Sequence, residues 1–261
     1  MTDQRPETSI RRRYDHLVQL YTDDAFLAET VAEFLAEGLA RGAGAMAIAT
    51  PAHVEGIRAR LGVHGIDVDA VVDAGQLLFL DAEQTLPRLL VDGVPDRAAF
   101  VPLVHETLQQ LSGFPSIYCF GEMVNLLWGR DSRAAAALEE LWNEVLADRS
   151  IQMLCAYRAE PFDRHTHQAL HGILRSHSHV MPDQHREDFD EAVDRAYHEV
   201  FGVSGDASGL RAVIESRRAS MPTMSPGLTA LFALREVSPI LADQLVDHGR
   251  VHYQRRRSAR T

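Results

Sequence analysis

Apolar residues fall into five short, uninterrupted runs in the first two thirds of the chain. Runs of this length are typical of parallel strands that are buried on both faces of a sheet. The pattern therefore predicts strands at 16–21, 45–50, 77–81, 117–122 and 151–157.

Between these runs the apolar residues recur every three or four positions, which is the period of an amphipathic helix. Asp131 and Ser132 stand ahead of the last such segment as candidate helix caps. Strands that alternate with helices are typical of a sheet with right-handed crossovers. The predicted fold class is α/β, a three-layer α/β/α sandwich with a mostly parallel central sheet. The helical stripes are Leu27, Val31, Phe34, Leu35 and Leu39; Val54, Ile57 and Leu61; Phe100, Leu103, Val104 and Leu111; and Ala134, Leu138, Leu141, Trp142 and Val145.

The pattern changes after Phe162, where a histidine-dense segment leads into sequence that is helical throughout. Helices are predicted over about 187–201, 210–219 and 228–253, the last one kinked at Pro239. The predicted organisation is an N-terminal tail over 1–13, an α/β domain over 14–182, and a helical extension over 183–261 that ends in an arginine-rich tail.

Polar residues follow the ends of the predicted strands. In a parallel sheet, ligands bind in the crevice beyond the carboxyl ends of the strands, so these side chains are candidates for a ligand site. Gly121 beside Glu122 leaves room for a close approach to the backbone, and residues 123–128 mix one polar residue with large apolar ones, as in a mostly apolar pocket. The strand-end acids Asp81 and Glu122 have an alternative role as helix caps or solvated carboxylates. The candidates are Tyr21, His53, Asp81, Glu122, Asn125, Trp128 and Tyr157.

All 26 residues counted as Lys+Arg are arginine. A chain without lysine has neither the lysine of a phosphate-binding loop nor an amine for Schiff-base chemistry. The net charge of −11 argues against a general polyanion binder and against an anionic membrane surface, so direct nucleic-acid binding is not expected. No signal peptide or membrane-length apolar run is read, and Cys119 and Cys155 suit buried, reduced thiols, so a cytoplasmic location is expected.

Five histidines fall close together at His165, His167, His171, His177 and His179. A helix would place His167 and His171 on one face, as metal-binding pairs often are, although the glutamate of a zinc protease is missing between them. We predict no metal and no cofactor, with His167, His171, His177 and His179 as weak metal candidates. Glu139 and Asn143, four apart on one helix, are interpreted as a hydrogen-bonded pair at the domain edge, and Trp142 and Cys155 as core residues.

Six segments, in this order along the chain, resemble the MEDS domain, the methanogen/methylotroph DcmR sensory domain. The resemblance covers about residues 14–182. Its segments are 15–21 (DHLVQLY), 34–39 (FLAEGL), 120–128 (FGEMVNLLW), 137–144 (ALEELWNE), 154–157 (LCAY) and 177–180 (HSHV).

The resemblance implies a divergent RecA-like domain, related to the KaiC-like ATPases, that has lost its nucleotide-binding motifs. It also implies sensing of small hydrocarbon-derived compounds and signalling to a histidine kinase or transcription regulator. His16 occupies a characteristic position of this family, with a structural histidine as the alternative, and it completes the predicted ligand-binding set. Residues 21–30 (YTDDAFLAET) stand where a phosphate-binding loop would lie, without glycine or lysine and with Asp23 and Asp24 in place. A loop of this kind offers no nest of amides and repels phosphate, so ATP hydrolysis is not expected.

The leading interpretation is a non-enzymatic sensory module that binds a small, largely apolar ligand and signals through its helical extension. A homodimer through the final helix is left open. One alternative is a metal-dependent enzyme that uses the cluster His165–His179 with Glu122 as acid or base. Another is an interaction scaffold with no ligand.

Overall fold

The computed structural model describes residues 16–146, 150–202, 212–217 and 223–258. Six parallel strands form the central sheet, in the order β3-β2-β6-β7-β1-β8. Their bounds are β1 (His16–Tyr21), β2 (Gly44–Ala49), β3 (Leu77–Asp81), β6 (Ile117–Gly121), β7 (Ile151–Arg158) and β8 (His179–Val180). The predicted α/β fold class and its five apolar strands are confirmed, with ends that shift by one residue.

Three short strands were not predicted. Strand β8 pairs with β1 over only two positions, which is too short to leave a hydrophobic pattern. The strands β4 (Leu90–Val91) and β5 (Val94–Pro95) form a small antiparallel hairpin outside the main sheet. Its turn holds Asp92 and Gly93, both at positive φ.

Helices pack on both faces of the sheet. Their bounds in the α/β part are α1 (Asp24–Ala40), α2 (Pro51–Val63), α3 (Val68–Asp73), α4 (Ala82–Thr85), α5 (Arg97–Gln109), α6 (Met123–Trp128), α7 (Ser132–Leu146) and α8 (Arg164–Ser176). Asp131 caps α7 as predicted, since its carboxylate accepts hydrogen bonds from the amides of Arg133 and Ala134.

Successive strand residues point to opposite faces and build two separate cores. On one face, Leu17 and Tyr21 of β1 pack with α1 and α2. On the other, Val18 of β1 joins a larger core with α5 to α8 that also takes in the helical extension, for example through Phe189 and Leu228. The proposed division between residues 182 and 183 stays a prediction, because the extension shares this second core.

The helical extension contains α9 (Arg186–Phe201), a helical segment at 212–217, α10 (Pro226–Val237) and α11 (Pro239–Ser258). The single kinked helix predicted over 228–253 is wrong, because Ser238 is extended (φ −152°, ψ 94°) and separates two helices. A residue that precedes proline is disfavoured in the α region, which explains the full break before Pro239. The three arginines at 255–257 belong to the last turns of α11 and not to a tail.

The predicted tail at 1–13 lies outside the described residues. The two ends of the helix predicted over 210–219 also lie outside them. None of the described helices is long and apolar enough to cross a membrane.

Candidate functional site

Two groups of polar side chains lie beside the sheet, and six of the eight predicted ligand-binding residues divide between them. The first group, the rim cluster, lies where strands β1, β2 and β6 end. It consists of Tyr21, Asp24, His53, Glu122 and Asn125, and four of these five were predicted.

His53 is the centre of the rim cluster. It lies in the first turn of α2, and its Nδ1 is 2.6 Å from a carboxylate oxygen of Glu122, while its Nε2 is 3.3 Å from Asp24. The carboxylate of Glu122 is buried, whereas that of Asp24 is exposed. The hydrogen bond that the ring donates to the Glu122 carboxylate raises the pKa of His53 above its ordinary value of 6.5, against the opposing effect of burial. The ring therefore favours its charged form and bridges a buried and an exposed carboxylate.

Tyr21 closes the other side of the rim cluster. Asn125 donates a hydrogen bond to its hydroxyl oxygen at 3.2 Å and accepts one from the backbone amide of Arg158 at 2.9 Å. The Arg158 guanidinium lies 5.2 Å from the centre of the Tyr21 ring. Burial, together with the nearby charge of Glu122, raises the pKa of Tyr21 to about 12, so the phenol stays protonated.

The N-terminus of α1 lies at this edge, and the N-terminus of a helix is a common binding place for an anion such as phosphate. Its own carboxylates occupy it. Asp23 accepts a hydrogen bond from the amide of Phe26 at 2.8 Å, and Asp24 binds both Arg158 and His53. Asp23 therefore caps α1, and the carboxylates of Asp23 and Asp24 both lie at its N-terminus.

The second group, the buried cluster, consists of His16, Glu139, Cys155, Tyr157 and His177. All five are buried, and Glu139, Cys155 and Tyr157 are wholly inaccessible. His16 Nε2 is 3.1 Å from Oε2 of Glu139 and 3.4 Å from Sγ of Cys155. His177 Nε2 is 3.4 Å from Oε1 of Glu139, which also accepts a hydrogen bond from the Tyr157 hydroxyl.

The charge of the buried cluster is concentrated on Glu139. Burial alone would raise the pKa of this carboxyl, but the neighbouring His177 and His16 together lower it well below its ordinary range. Burial and the Glu139 charge raise the pKa of the Cys155 thiol and the Tyr157 phenol well above their usual values. The cluster therefore holds one carboxylate among protonated neighbours.

Backbone carbonyls fix both histidine rings of the buried cluster. His16 Nδ1 is 3.1 Å from the carbonyl oxygen of Ser176 and 2.9 Å from Oδ1 of Asn143. His177 Nδ1 is 2.7 Å from the carbonyl oxygen of Ile173. Since all three partners accept hydrogen bonds, both rings carry a proton on Nδ1 and point Nε2 at Glu139.

The predicted pair of Glu139 and Asn143 at the domain edge is therefore wrong. Glu139 is wholly buried, and both residues contact His16, one at each ring nitrogen. The physical reason is that Glu139 lies on the side of α7 that faces β1 and β7, where it meets polar strand residues.

The other predicted residues lie elsewhere. Asp81 caps α4 by accepting hydrogen bonds from the amides of Glu83 and Gln84, as its alternative interpretation had it. Trp128 is half-buried and packs edge-on against Tyr157 with ring centres 5.3 Å apart, and Trp142 is a core residue as predicted. A Cβ on Gly121 would lie 2.5 Å from Cε of Met153, so the close approach there comes from a core side chain.

The predicted histidine cluster does not converge on one point. His167 faces the carbonyl oxygen of Pro161 and stacks near Phe189, whereas His171 stacks on Phe232 with ring centres 4.5 Å apart. Burial lowers the pKa of both rings. His179 lies in the edge strand β8, and the side chain of His165 is outside the described part of the chain. Of the four weak metal candidates, only His177 lies in the buried cluster.

A pocket lies at the carboxyl ends of β1, β7 and β8, and sequence reasoning missed it. Its cavity volume is about 50 Å³, or about 580 Å³ when the open space at its mouth is included. The sheet contributes Leu20 and Val180, and the helical extension contributes Phe189 and Leu228. None of the eight predicted ligand-binding residues lines it. The pocket lies at the strand-end edge where a ligand site was predicted, but its walls come from segments that carried no motif.

The family model for the methanogen/methylotroph DcmR sensory domain, MEDS, matches residues 15–178. A search of curated proteins found no match. The matched segment contains all five residues of the rim cluster and all five of the buried cluster, and it covers well over half of the chain. The chain belongs to the MEDS family of sensory domains.

Proposed function

We propose that this protein binds a small, largely apolar ligand at the carboxyl ends of β1, β7 and β8, and that the helical extension carries the signal to a partner protein. The pocket between the sheet and the extension is the observation that carries this proposal. A histidine kinase or a transcription regulator is the class of partner that the family's sensory role suggests.

The pocket combines apolar walls with a few polar groups. Leu20, Leu170 and Val180 lie on the α/β side, and Arg186 and Ser225 lie on the side of the extension. Such a composition suits a small ligand with an apolar body and one polar group.

The position of the pocket supplies a route for the signal. A ligand there touches both the strand ends and α9 or α10, so it contributes to the free energy that holds the extension on the sheet. A ligand shifts a conformational equilibrium only by its different affinities for the two states. A pocket shared by two parts of the chain provides that difference when the parts move.

ATP hydrolysis is not part of the proposal. The carboxylates of Asp23 and Asp24 at the N-terminus of α1 support this, because they repel phosphate where a nucleotide would need amides.

The test is thermal unfolding of the full chain with toluene, chloroform and ATP as separate probes. We expect saturable stabilisation by toluene or chloroform and none by ATP. Leu228→Trp, which fills the pocket, should abolish the response, whereas the matched control Val237→Trp changes an exposed residue of the same helix and should retain it.

A third variant separates the pocket from the rim cluster. If Glu122→Gln abolished the response and Leu228→Trp did not, the ligand site would lie at the rim cluster. Stabilisation by ATP alone, or by neither organic probe, would contradict the proposal.

A further inference from the structure

Four side chains of the buried cluster bring possible metal-ligand atoms together, and hydrogen bonds do not satisfy all of these atoms. We propose that His16, Glu139, Cys155 and His177 are the ligands of a structural transition-metal dication of the zinc class.

The four residues come from distant parts of the chain but place their donor atoms together. Nε2 of both histidines, a carboxylate oxygen and Sγ all lie within 4.8 Å of one another. His16 begins β1, Glu139 lies on α7, Cys155 lies on β7, and His177 follows α8. A metal at their centre would join four elements of the fold.

The distances between the donor atoms fit a tetrahedral site. Zinc bonds of about 2.0–2.3 Å to nitrogen, oxygen and sulfur give separations of roughly 3.3–3.7 Å between neighbouring ligands. Nε2 of His16 lies 3.4 Å from Sγ of Cys155 and 3.1 Å from Oε2 of Glu139, and that oxygen lies 3.5 Å from Sγ. These three atoms are therefore already spaced like neighbouring ligands of one ion, and Nε2 of His177 lies within 4.8 Å of the other donor atoms.

Proton placement on the histidines supports a cation at this point. Both rings carry their proton on Nδ1, so in the neutral form both Nε2 lone pairs face the carboxylate, which is itself only an acceptor. His177 Nε2 is completely buried and makes no hydrogen bond to any residue that the structure describes. A buried nitrogen of this kind, close to three other possible ligand atoms, is typical of a metal-binding histidine.

The charge balance supports the same conclusion. A dication with one thiolate, one carboxylate and two neutral imidazoles is a neutral unit. Without a metal, the Glu139 carboxylate is a buried charge that faces two Nε2 lone pairs in a site closed to water. Burying unbalanced charge is costly, so the metal form is the better match to complete burial.

The chemistry of the ligands selects the ion. Thiolate and imidazole favour zinc and its neighbours over magnesium or calcium. All four positions are filled by protein, which is typical of a structural and not a catalytic site. The carbonyl oxygens of Ser176 and Ile173 and the side chain of Asn143 orient the rings from behind, as outer-sphere partners of zinc histidines do.

The first experiment measures metal in the full chain purified without chelator, by elemental analysis, and then titrates Co²⁺ into protein stripped with chelator. We expect a single zinc-class ion per chain. We also expect the absorption of tetrahedral Co²⁺ together with a thiolate-to-cobalt charge-transfer band, and a higher unfolding temperature when Zn²⁺ is added back.

Variants assign the ligands. Cys155→Ser should remove the charge-transfer band, whereas Cys119→Ser should keep it, because Cys119 is equally buried on the neighbouring strand but outside the cluster. Asn143→Ala, which removes an outer-sphere contact, should weaken Co²⁺ binding about 10–100-fold.

The wild-type spectrum decides the matter even if Cys155→Ser fails to fold. Protein that is metal-free as purified and takes up no Co²⁺ would overturn the proposal. Co²⁺ binding without a thiolate band, or a band lost equally in Cys119→Ser, would overturn it as well.

Discussion

The rim cluster and the buried cluster both place carboxylates beside histidines, but only the rim cluster reaches solvent. In the rim cluster, His53 links buried Glu122 to exposed Asp24, so one carboxylate of this cluster is in contact with water. In the buried cluster, Glu139 lies between His16 and His177 with no access to water. The same residue types are therefore in contact with water at the rim, whereas inside the fold they join strands β1 and β7 to α7 and to the segment after α8.

The largest effect should come from Glu139→Gln. The change replaces the buried carboxylate that faces both histidines, and removing one partner of a buried charged contact typically costs about 3–5 kcal/mol. We expect the free energy of unfolding to fall by that amount in urea denaturation followed by tryptophan fluorescence.

Glu140→Gln is the matched control, because it makes the same change one residue along α7 at an exposed position. Exposed substitutions of this kind change stability by about 0.5 kcal/mol or less. If both variants lost the same free energy of unfolding, Glu139 would contribute no more to stability than an exposed glutamate, and the contrast between the clusters would be false.

A smaller effect is expected from Glu122→Gln. The variant keeps the volume of the side chain but weakens its hydrogen bond to charged His53, and bonds to charged groups contribute about 1.5–3 kcal/mol. The same urea denaturation at pH 6 should show a loss within this range, and Glu83→Gln, at an exposed position near the strand ends, serves as the control.

The pH dependence of stability sharpens this prediction. The folded-state pKa of His53 lies above 6.5, so its contribution is fully present below pH 6.5 and is lost as the pH rises through the raised value. The groups that face this ring are Glu122, Asp24 and the Tyr21 ring. The difference in unfolding free energy between wild type and Glu122→Gln should therefore shrink as the pH rises above 6.5, and a difference that grows would contradict the assignment.

The smallest effect is expected from Asp24→Asn. Its contacts with Arg158 and His53 are exposed, and exposed ion pairs contribute about 0.2–1 kcal/mol. Added salt should reduce the difference from wild type in urea denaturation, because salt screens exposed charges. If Asp24→Asn lost more free energy of unfolding than Glu122→Gln, solvent exposure would not explain how much each carboxylate contributes to stability.

Much of the fold follows from the sequence because burial on both faces leaves a strong signal. The strands with long apolar runs are correct, whereas the two-residue β8 has no room for a pattern. The rim cluster was mostly predictable, since the strand-end rule places Tyr21, Glu122 and the start of α2 at one edge.

The buried cluster was harder to predict because it depends on contacts between residues far apart in the chain. Cys155 has no histidine near it in sequence, yet His16, 139 residues away, lies beside it in the neighbouring strand. Glu139 lies at the border of an apolar stripe, and helical periodicity does not show whether such a position meets solvent or a polar patch of the sheet. The two histidines of the 177–180 motif also separate, because His177 points inward and His179 lies at the sheet edge.

Strand β1 contributes one residue each to the buried cluster, the rim cluster and the pocket. His16 enters the buried cluster, Tyr21 closes the rim cluster, and Leu20 lines the pocket. A strand side chain changes face with every one-residue shift in register. Substitutions along β1 would therefore alter one place at a time, but the insertion or deletion of a single residue would disturb all three together, so this strand should vary in composition among relatives while keeping its length.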